Sequence, residues 1–219
     1  MSERNEMWLS MWQQGRLGFH QDIVHPHLIQ YADRLLGDAP KRVLVPLSGK
    51  SLDLKWLADR GHEVVGVELS ALAARSLFEE ARLEPTIREQ GPFSVWSHGS
   101  LHVFVGDIFD ATPALLGQFD RVWDRAALVA MSDEQRPRYA AKLVELMTDD
   151  AQMLLNCFRY EGPMTGPPHS VAEHQVFAYF GSAGRLEIVD ARDRINDAPR
   201  WREMGLTSFV VVAWWFSRG

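Results

Sequence analysis

Cysteine is nearly missing from this chain: Cys157 is the single one among 219 residues. One thiol cannot form an internal disulfide. A chain of this length buries about 70% of its unfolded surface, so its core needs no covalent or metal staple. Such scarcity fits a reducing compartment, and a cytoplasmic location is expected. Positive charge is short as well, with 23 Lys and Arg against 29 Asp and Glu and a net charge of -6. A nucleic-acid binder would present a basic face, so nucleic acid is not expected as a partner. The longest strongly apolar run, residues 209–216, is too short to cross a bilayer, and no membrane association is expected. The first six residues carry acids and no apolar signal core, so no export segment is read there.

Several catalytic signatures are absent too. There is no G-x-S-x-G elbow and no H-E-x-x-H pair. The pairs His25/His27 and His98/His102 lack the partners of a recognisable ligand set, so no metal is expected. Cys157 lies in an apolar run and reads as a small buried residue, not a nucleophile.

What is present is an alternation of short apolar runs and amphipathic stretches, with no repeat or linker, so residues 1–219 are expected to form one domain. Residues 7–36 read as helical with a loop near Gly15 and Gly18. Leu28, Tyr31, Leu35 and Leu36 make one apolar face, and Gly37 ends it. A strand over 42–46 leads into a loop, then a helix over 52–60 capped by Ser51. The strand 63–68 ends in an acid, and Ser70 caps a helix to about residue 82. This strand–helix–strand–helix series marks a parallel sheet with helices on both faces.

Residues 93–97 and 101–105 flank His98-Gly-Ser and read as a β-hairpin. Further strands are expected at 119–124 and 152–160, and helices at 133–147 and 171–181. Residues 161–168, with three prolines and two glycines, read as an irregular loop. The last two strands, 186–191 and 208–216, have no helix expected between them and should pair antiparallel. Trp214 and Trp215 alternate across the final strand, so at most one is expected to face the core.

In open α/β sheets, ligands bind beyond the carboxyl ends of the strands. The loop after the first strand runs Pro46-Leu-Ser-Gly-Lys-Ser-Leu-Asp53. A P-loop needs a glycine where Leu44 stands, and a dinucleotide loop needs two glycines besides Gly49. A nucleoside ligand without a pyrophosphate fits better. Glu68, 19 residues after Gly49 at the second strand end, is placed to accept hydrogen bonds from ribose hydroxyls. Gly106-Asp107-Ile108 and Asp124-Arg125 follow the next two strands and could meet an adenine edge and a carboxylate.

Several segments together resemble the thiopurine S-methyltransferase family. They are Trp12 with Phe19-His20-Gln21, Val43-Leu-Val-Pro-Leu-Ser-Gly-Lys-Ser-Leu-Asp-Leu, Gly66-Val-Glu-Leu-Ser, Gly106-Asp-Ile-Phe, Asp124-Arg-Ala-Ala-Leu and Gly166-Pro-Pro. The resemblance implies a Rossmann-like class I methyltransferase fold: seven mostly parallel strands, the last antiparallel, helices on both faces, with the hairpin as an insertion. It implies S-adenosyl-L-methionine as cofactor, covered by an N-terminal segment over residues 1–37. Trp12, Leu47, Gly49, Glu68, Asp107, Ile108 and Arg125 fall where cofactor contacts are expected, and Phe19 and His20 where an acceptor lies. Where the family loop often has Cys, this chain has Ser48, and the match loosens over 194–204.

The implied reaction is in-line methyl transfer to an aromatic or heterocyclic thiolate. An acceptor that ionises near neutral pH needs no catalytic acid–base pair, so none is assigned. Trp8, Trp12 and Phe19 would form a lid that dries the site. Other acceptors remain open, namely small thiols, dithiols, halide, or selenium and tellurium compounds, as does a non-catalytic nucleotide-binding domain. A small-molecule thiol is the expected partner, and a monomer the expected state.

Overall fold

The computed structural model describes residues 3–197 and 199–219. Two compact units divide the chain, one ending at Gly117 and the other spanning Gln118–Gly219.

The first unit opens with α1 (Glu3–Gln13), α2 (Pro26–Gln30) and α3 (Ala32–Leu36), the last ended by Gly37 in a left-handed conformation. Then come β1 (Arg42–Pro46), α4 (Leu52–Ala58), β2 (Glu63–Glu68), α5 (Ala71–Glu80), β3 (Thr86–Gln90), β4 (Phe93–His98) and β5 (Leu101–Val105). A 3-10 turn at Ile108–Asp110 and the short α6 (Pro113–Leu116) close it. The strand order is β3-β4-β5-β2-β1. Pairing is parallel from β5 through β2 to β1 and antiparallel from β5 through β4 to β3. β1 and β2 are buried along almost their whole length, which only a sheet covered on both faces allows. The expected caps form: Ser51 Oγ accepts the Asp53 N–H and Ser70 Oγ the Ala73 N–H, both at 3.3 Å.

The second unit contains β6 (Phe119–Arg125), a 3-10 turn at Leu128–Ala130, α7 (Arg136–Leu146), β7 (Met147–Glu161), α8 (Glu173–Phe180), β8 (Arg185–Asp193), α9 (Pro199–Glu203) and β9 (Ser208–Ser217). The order is β6-β7-β9-β8. β6 and β7 are parallel, and β9 runs antiparallel to both β7 and β8.

The parallel strands β1, β2 and β5 with the four strands of the second unit supply the seven that were expected. β4 makes the expected hairpin with β5, but β3 was not foreseen. Its Thr-Ile-Arg-Glu-Gln sequence shows no apolar alternation, because it is an exposed edge held by pairing with β4 alone. α9 interrupts the final strand pair where no helix was expected. Both Trp214 and Trp215 are buried, against the expectation of one: the two faces of β9 are covered alike, Trp214 lying edge-on to Phe177 of α8.

Candidate functional site

β1 and β2 are parallel, with Val45 beside Gly66 and Pro46 beside Val67, so both chains exit at one edge. There Leu47 has a φ of 48°, a left-handed conformation that costs a side-chain-bearing residue roughly 1–2 kcal/mol. Gly49 is left-handed as well, at φ 54°. The bend turns the Ser48 N–H back onto the Val67 carbonyl at 3.1 Å and aims the Gly49 N–H at Glu68 Oε2, 2.8 Å away. The close approach depends on Gly66. A Cβ there would lie 2.7 Å from both Leu54 Cδ2 and Ser48 Oγ.

Glu68 is 6% exposed, and its Oε1 accepts the Ser70 N–H at 2.7 Å. Burial raises its carboxyl above the usual range, while the backbone groups of Ser70, Gly49 and Leu69 pull the other way. A carboxylate offers about four acceptor directions. These two N–H bonds take one on each oxygen and fix the group, leaving acceptor capacity suited to a vicinal diol.

An aromatic wall stands against this edge. A Cβ on Gly49 would meet the buried Trp12 ring at 3.4 Å. Phe19 lies edge-on to Trp8 at 5.6 Å and to Trp12 at 5.7 Å. His20 follows, its Nε2 3.1 Å from Asp22 Oδ1. Trp8 Nε1 and Ser48 Oγ are buried without a hydrogen-bond partner. Buried polar atoms are seldom left so, and Trp8 Nε1, on the ring that packs on Phe19, fits a polar ligand at this edge, whereas Ser48 Oγ faces Gly66.

At the next strand end, the Gly106 N–H donates to the Glu68 carbonyl at 2.9 Å, which sets Asp107 beside the end of β2. Asp107 Oδ1 accepts the Phe109 N–H at 3.0 Å and so caps the 3-10 turn, while Ile108 is buried. From α1, Arg4 Nη2 reaches Asp107 Oδ2 at 3.1 Å and Asn5 Nδ2 the same oxygen at 2.8 Å. The structure therefore gathers Trp12, Phe19, Leu47, Gly49 and Glu68 at one strand edge, with Asp107 and Ile108 at the end of the adjacent strand. Arg4 and Asn5 were not foreseen, because no motif marks them and their partner is about a hundred residues away.

In the second unit, Arg125 ends β6 opposite Asn156 of β7, half-buried, and left-handed Ala126 follows at φ 61°. Asp124, one of the strand-end residues read from sequence as able to meet a ligand, is fully buried and builds the turn. Its Oδ1 accepts the Ala127 and Leu128 N–H groups at 3.1 and 3.3 Å, and its Oδ2 the Tyr139 hydroxyl at 2.8 Å. Burial lifts its carboxyl to about 6. Burial also pushes the Cys157 thiol well above its ordinary value, in keeping with a packing role. Beyond β7, the Tyr160 hydroxyl donates to the Pro168 carbonyl at 2.8 Å. Tyr160, Ile195, Leu206 and Phe209 form a satellite core onto which Phe158, Met164 and Trp201 pack.

Residues 3–218 match the family described as thiopurine S-methyltransferase (TPMT). A thiopurine S-methyltransferase of Bordetella petrii is 40% identical over 214 residues, covering 97% of this chain and 98% of that protein. One of Methylococcus capsulatus is 40% identical over 212 residues, with 96% of each covered. Among solved structures, the Burkholderia thailandensis 1,6-didemethyltoxoflavin-N1-methyltransferase, with 1,6-didemethyltoxoflavin and S-adenosylhomocysteine bound, superimposes with a TM-score of 0.65 at 17% identity. That match covers 98% of this chain and 86% of the other. A TehB-like SAM-dependent methyltransferase of Corynebacterium glutamicum gives 0.57 at 15% identity, with 98% of both chains covered. At such identities the likeness is one of fold, the Rossmann-like fold of class I methyltransferases.

Proposed function

The chain belongs to the thiopurine S-methyltransferase family and is an S-adenosylmethionine-dependent methyltransferase, and from that premise we propose that it methylates the sulfur of an aromatic or heterocyclic thiol. The observation that carries the reading is the Glu68 carboxylate, fixed by two backbone N–H groups at the strand edge where the Trp12 and Phe19 rings gather. It combines a nucleoside-diol acceptor with flat apolar surface for a planar ring.

S-Adenosylmethionine, when bound, supplies an electrophilic methyl group on a sulfonium sulfur. The residues at the edge hold and orient. Glu68 accepts the ribose hydroxyls, Trp8 Nε1 offers a polar atom to the ligand, and Ile108 gives an apolar contact for the base. In the second unit, Arg125 is the residue to which the family resemblance assigns the cofactor carboxylate, which its planar fork suits. Phe19 and His20 face the acceptor. The acceptor loses its proton to solvent before transfer. With the cofactor held there, that sulfur would take the methyl group while the sulfonium sulfur keeps the electron pair of its bond, leaving a thioether and S-adenosylhomocysteine. Alignment and exclusion of water are what the protein adds. A small-molecule thiol is the one partner the reaction needs, a monomer suffices, and the cytoplasm provides the reducing setting.

The test is an acceptor panel with methyl-labelled cofactor, run on wild type, Arg125→Lys and Arg125→Ala. Aryl thiols should be labelled at a rate that follows their thiolate fraction, and their hydroxyl counterparts should not. Arg125→Lys should raise the cofactor dissociation constant without moving the pH profile. Labelling only of small thiols, halide, or selenium and tellurium compounds would move the acceptor class. Tight cofactor binding without any transfer would favour a non-catalytic nucleotide-binding role.

A further inference from the structure

We propose that Arg4 and Asn5 are positioning residues that latch α1 shut over the cofactor site through the Asp107 carboxylate, and that this carboxylate serves the latch in place of the adenine amine. The inference rests on the methyltransferase reading only for what lies beneath the helix.

The geometry is a closed circuit. Arg4 Nη2 lies 3.2 Å from Asp107 Oδ1 and 3.1 Å from Oδ2, and Asn5 Nδ2 donates to Oδ2 at 2.8 Å. Arg4 also donates to Asn5 Oδ1, from Nε at 3.1 Å and from Nη2 at 2.7 Å, which stiffens the pair. The guanidinium carbon sits 5.0 Å from the centre of the Phe109 ring. These groups are sheltered: Asn5 is buried, and the Arg4 and Asp107 side chains are 15% and 21% exposed. The contact is therefore not a freely solvated surface pair.

Two features set this apart from an ordinary helix-to-core ion pair. The first is the acceptor count. Asp107 Oδ1 takes the Phe109 N–H at 3.0 Å and Oδ2 the Asn5 amide at 2.8 Å, while Arg4 Nη2, whose other hydrogen faces Asn5 Oδ1, is shared between both oxygens, so three donors cover the carboxylate's acceptor directions. An exocyclic amine would be a fourth donor and would have to compete with them. The second is position along the helix. Arg4, Trp8 and Trp12 recur at intervals of four and lie along one ridge of α1, over roughly 12 Å. Trp12 docks the far end against Gly49, and Phe19 packs on both tryptophans. The latch pins the near end. A helix of eleven residues with little intrinsic stability needs both. With the near end free, the Trp8 end of the lid would lift while Trp12 stayed seated.

A double-mutant cycle on the full-length protein tests this, using Arg4→Ala, Asp107→Asn and the double variant. Asp107→Asn keeps an acceptor for the Phe109 N–H. The readouts are amide exchange in α1 without ligand and dissociation rates of S-adenosylhomocysteine and of S-inosylhomocysteine, in which the adenine amine is replaced by an oxygen. Each single variant should speed exchange at the start of α1 and dissociation roughly tenfold, with the double no worse than either. The preference between the two ligands should stay as in wild type. Additive effects, or an Arg4→Ala variant that behaves as wild type, would overturn the latch. Loss of the ligand preference in Asp107→Asn alone would return Asp107 to the adenine. Should wild type bind neither ligand, the methyltransferase reading fails, while the exchange cycle still decides whether the latch exists.

Discussion

Glu68 has two duties, and they pull on its charge in opposite directions. Burial disfavours the carboxylate, while the Gly49 and Ser70 N–H groups hold it in place. Glu68→Ala should weaken cofactor binding by about 1.5–3 kcal/mol, the loss of a charge-assisted hydrogen bond, as read by calorimetry. Circular dichroism on the same sample checks that the fold survives two newly unpaired N–H groups. Unchanged affinity in a folded variant would remove Glu68 from the site. Its place was legible because strand length and loop length fix its distance from Gly49. Asp124 was not legible in the same way. An acid at a strand end looks alike whether it meets a ligand or closes its own turn, and only the Ala127, Leu128 and Tyr139 donors decide. Arg4 and Asn5 lie further from reach, since nothing local encodes a partner so distant in sequence.

Among the elements, the buried strands were the readable ones. β1, β2, β5 and the middle of β7 are dense in apolar residues because both faces are covered, and that density is visible without a structure. β3 and α9 owe their form to neighbours and left no such trace. α9 belongs to the aromatic satellite core: Trp201 stacks on Phe209 at 4.9 Å with the planes 15° apart, and Tyr160 stacks on Phe209 at 6.2 Å. This stack joins the end of β7 to α9, which lies in the 194–204 stretch where the sequence resemblance loosens. Trp201→Ala should destabilise the protein by about 2 kcal/mol, the stacking and part of the burial of a large ring. It should also raise the acceptor KM more than the cofactor dissociation constant. Thermal unfolding and steady-state kinetics check the two effects. An equal loss in both constants would mean that the stack serves the whole molecule and not the acceptor side.

For the whole molecule, the buried carboxyls make stability depend on pH. Asp124 has a folded value of about 6 against an ordinary 3.8, so the folded protein holds that proton more tightly than the unfolded chain. The contribution is fully present below about pH 4 and is lost as pH rises through 6. From Asp124 it amounts to up to ~3 kcal/mol. Glu68, also raised, acts in the same direction, and the exposed Asp193, lowered by the Ile195 and Phe209 N–H groups, acts in the opposite one. Urea unfolding of wild type between pH 4.5 and 7.5 should show that loss, and Asp124→Asn should flatten it. Equal slopes for the two proteins would show that Asp124 does not carry the effect.

The unforeseen strand β3 has a consequence for solubility. Without it, β4 would end the first unit's ladder, offering the open backbone of Phe93-Ser-Val-Trp-Ser, whose Phe93, Val95 and Trp96 are buried. A short apolar β-former with free N–H and C=O groups is a template for adding strands from other molecules. β3 fills that ladder and turns outward a row bearing Arg88 and Glu89 in its place. Charges on both faces of an edge strand make a poor template, so a strand that adds little to the core lets the chain stay dispersed at the concentrations at which an enzyme works.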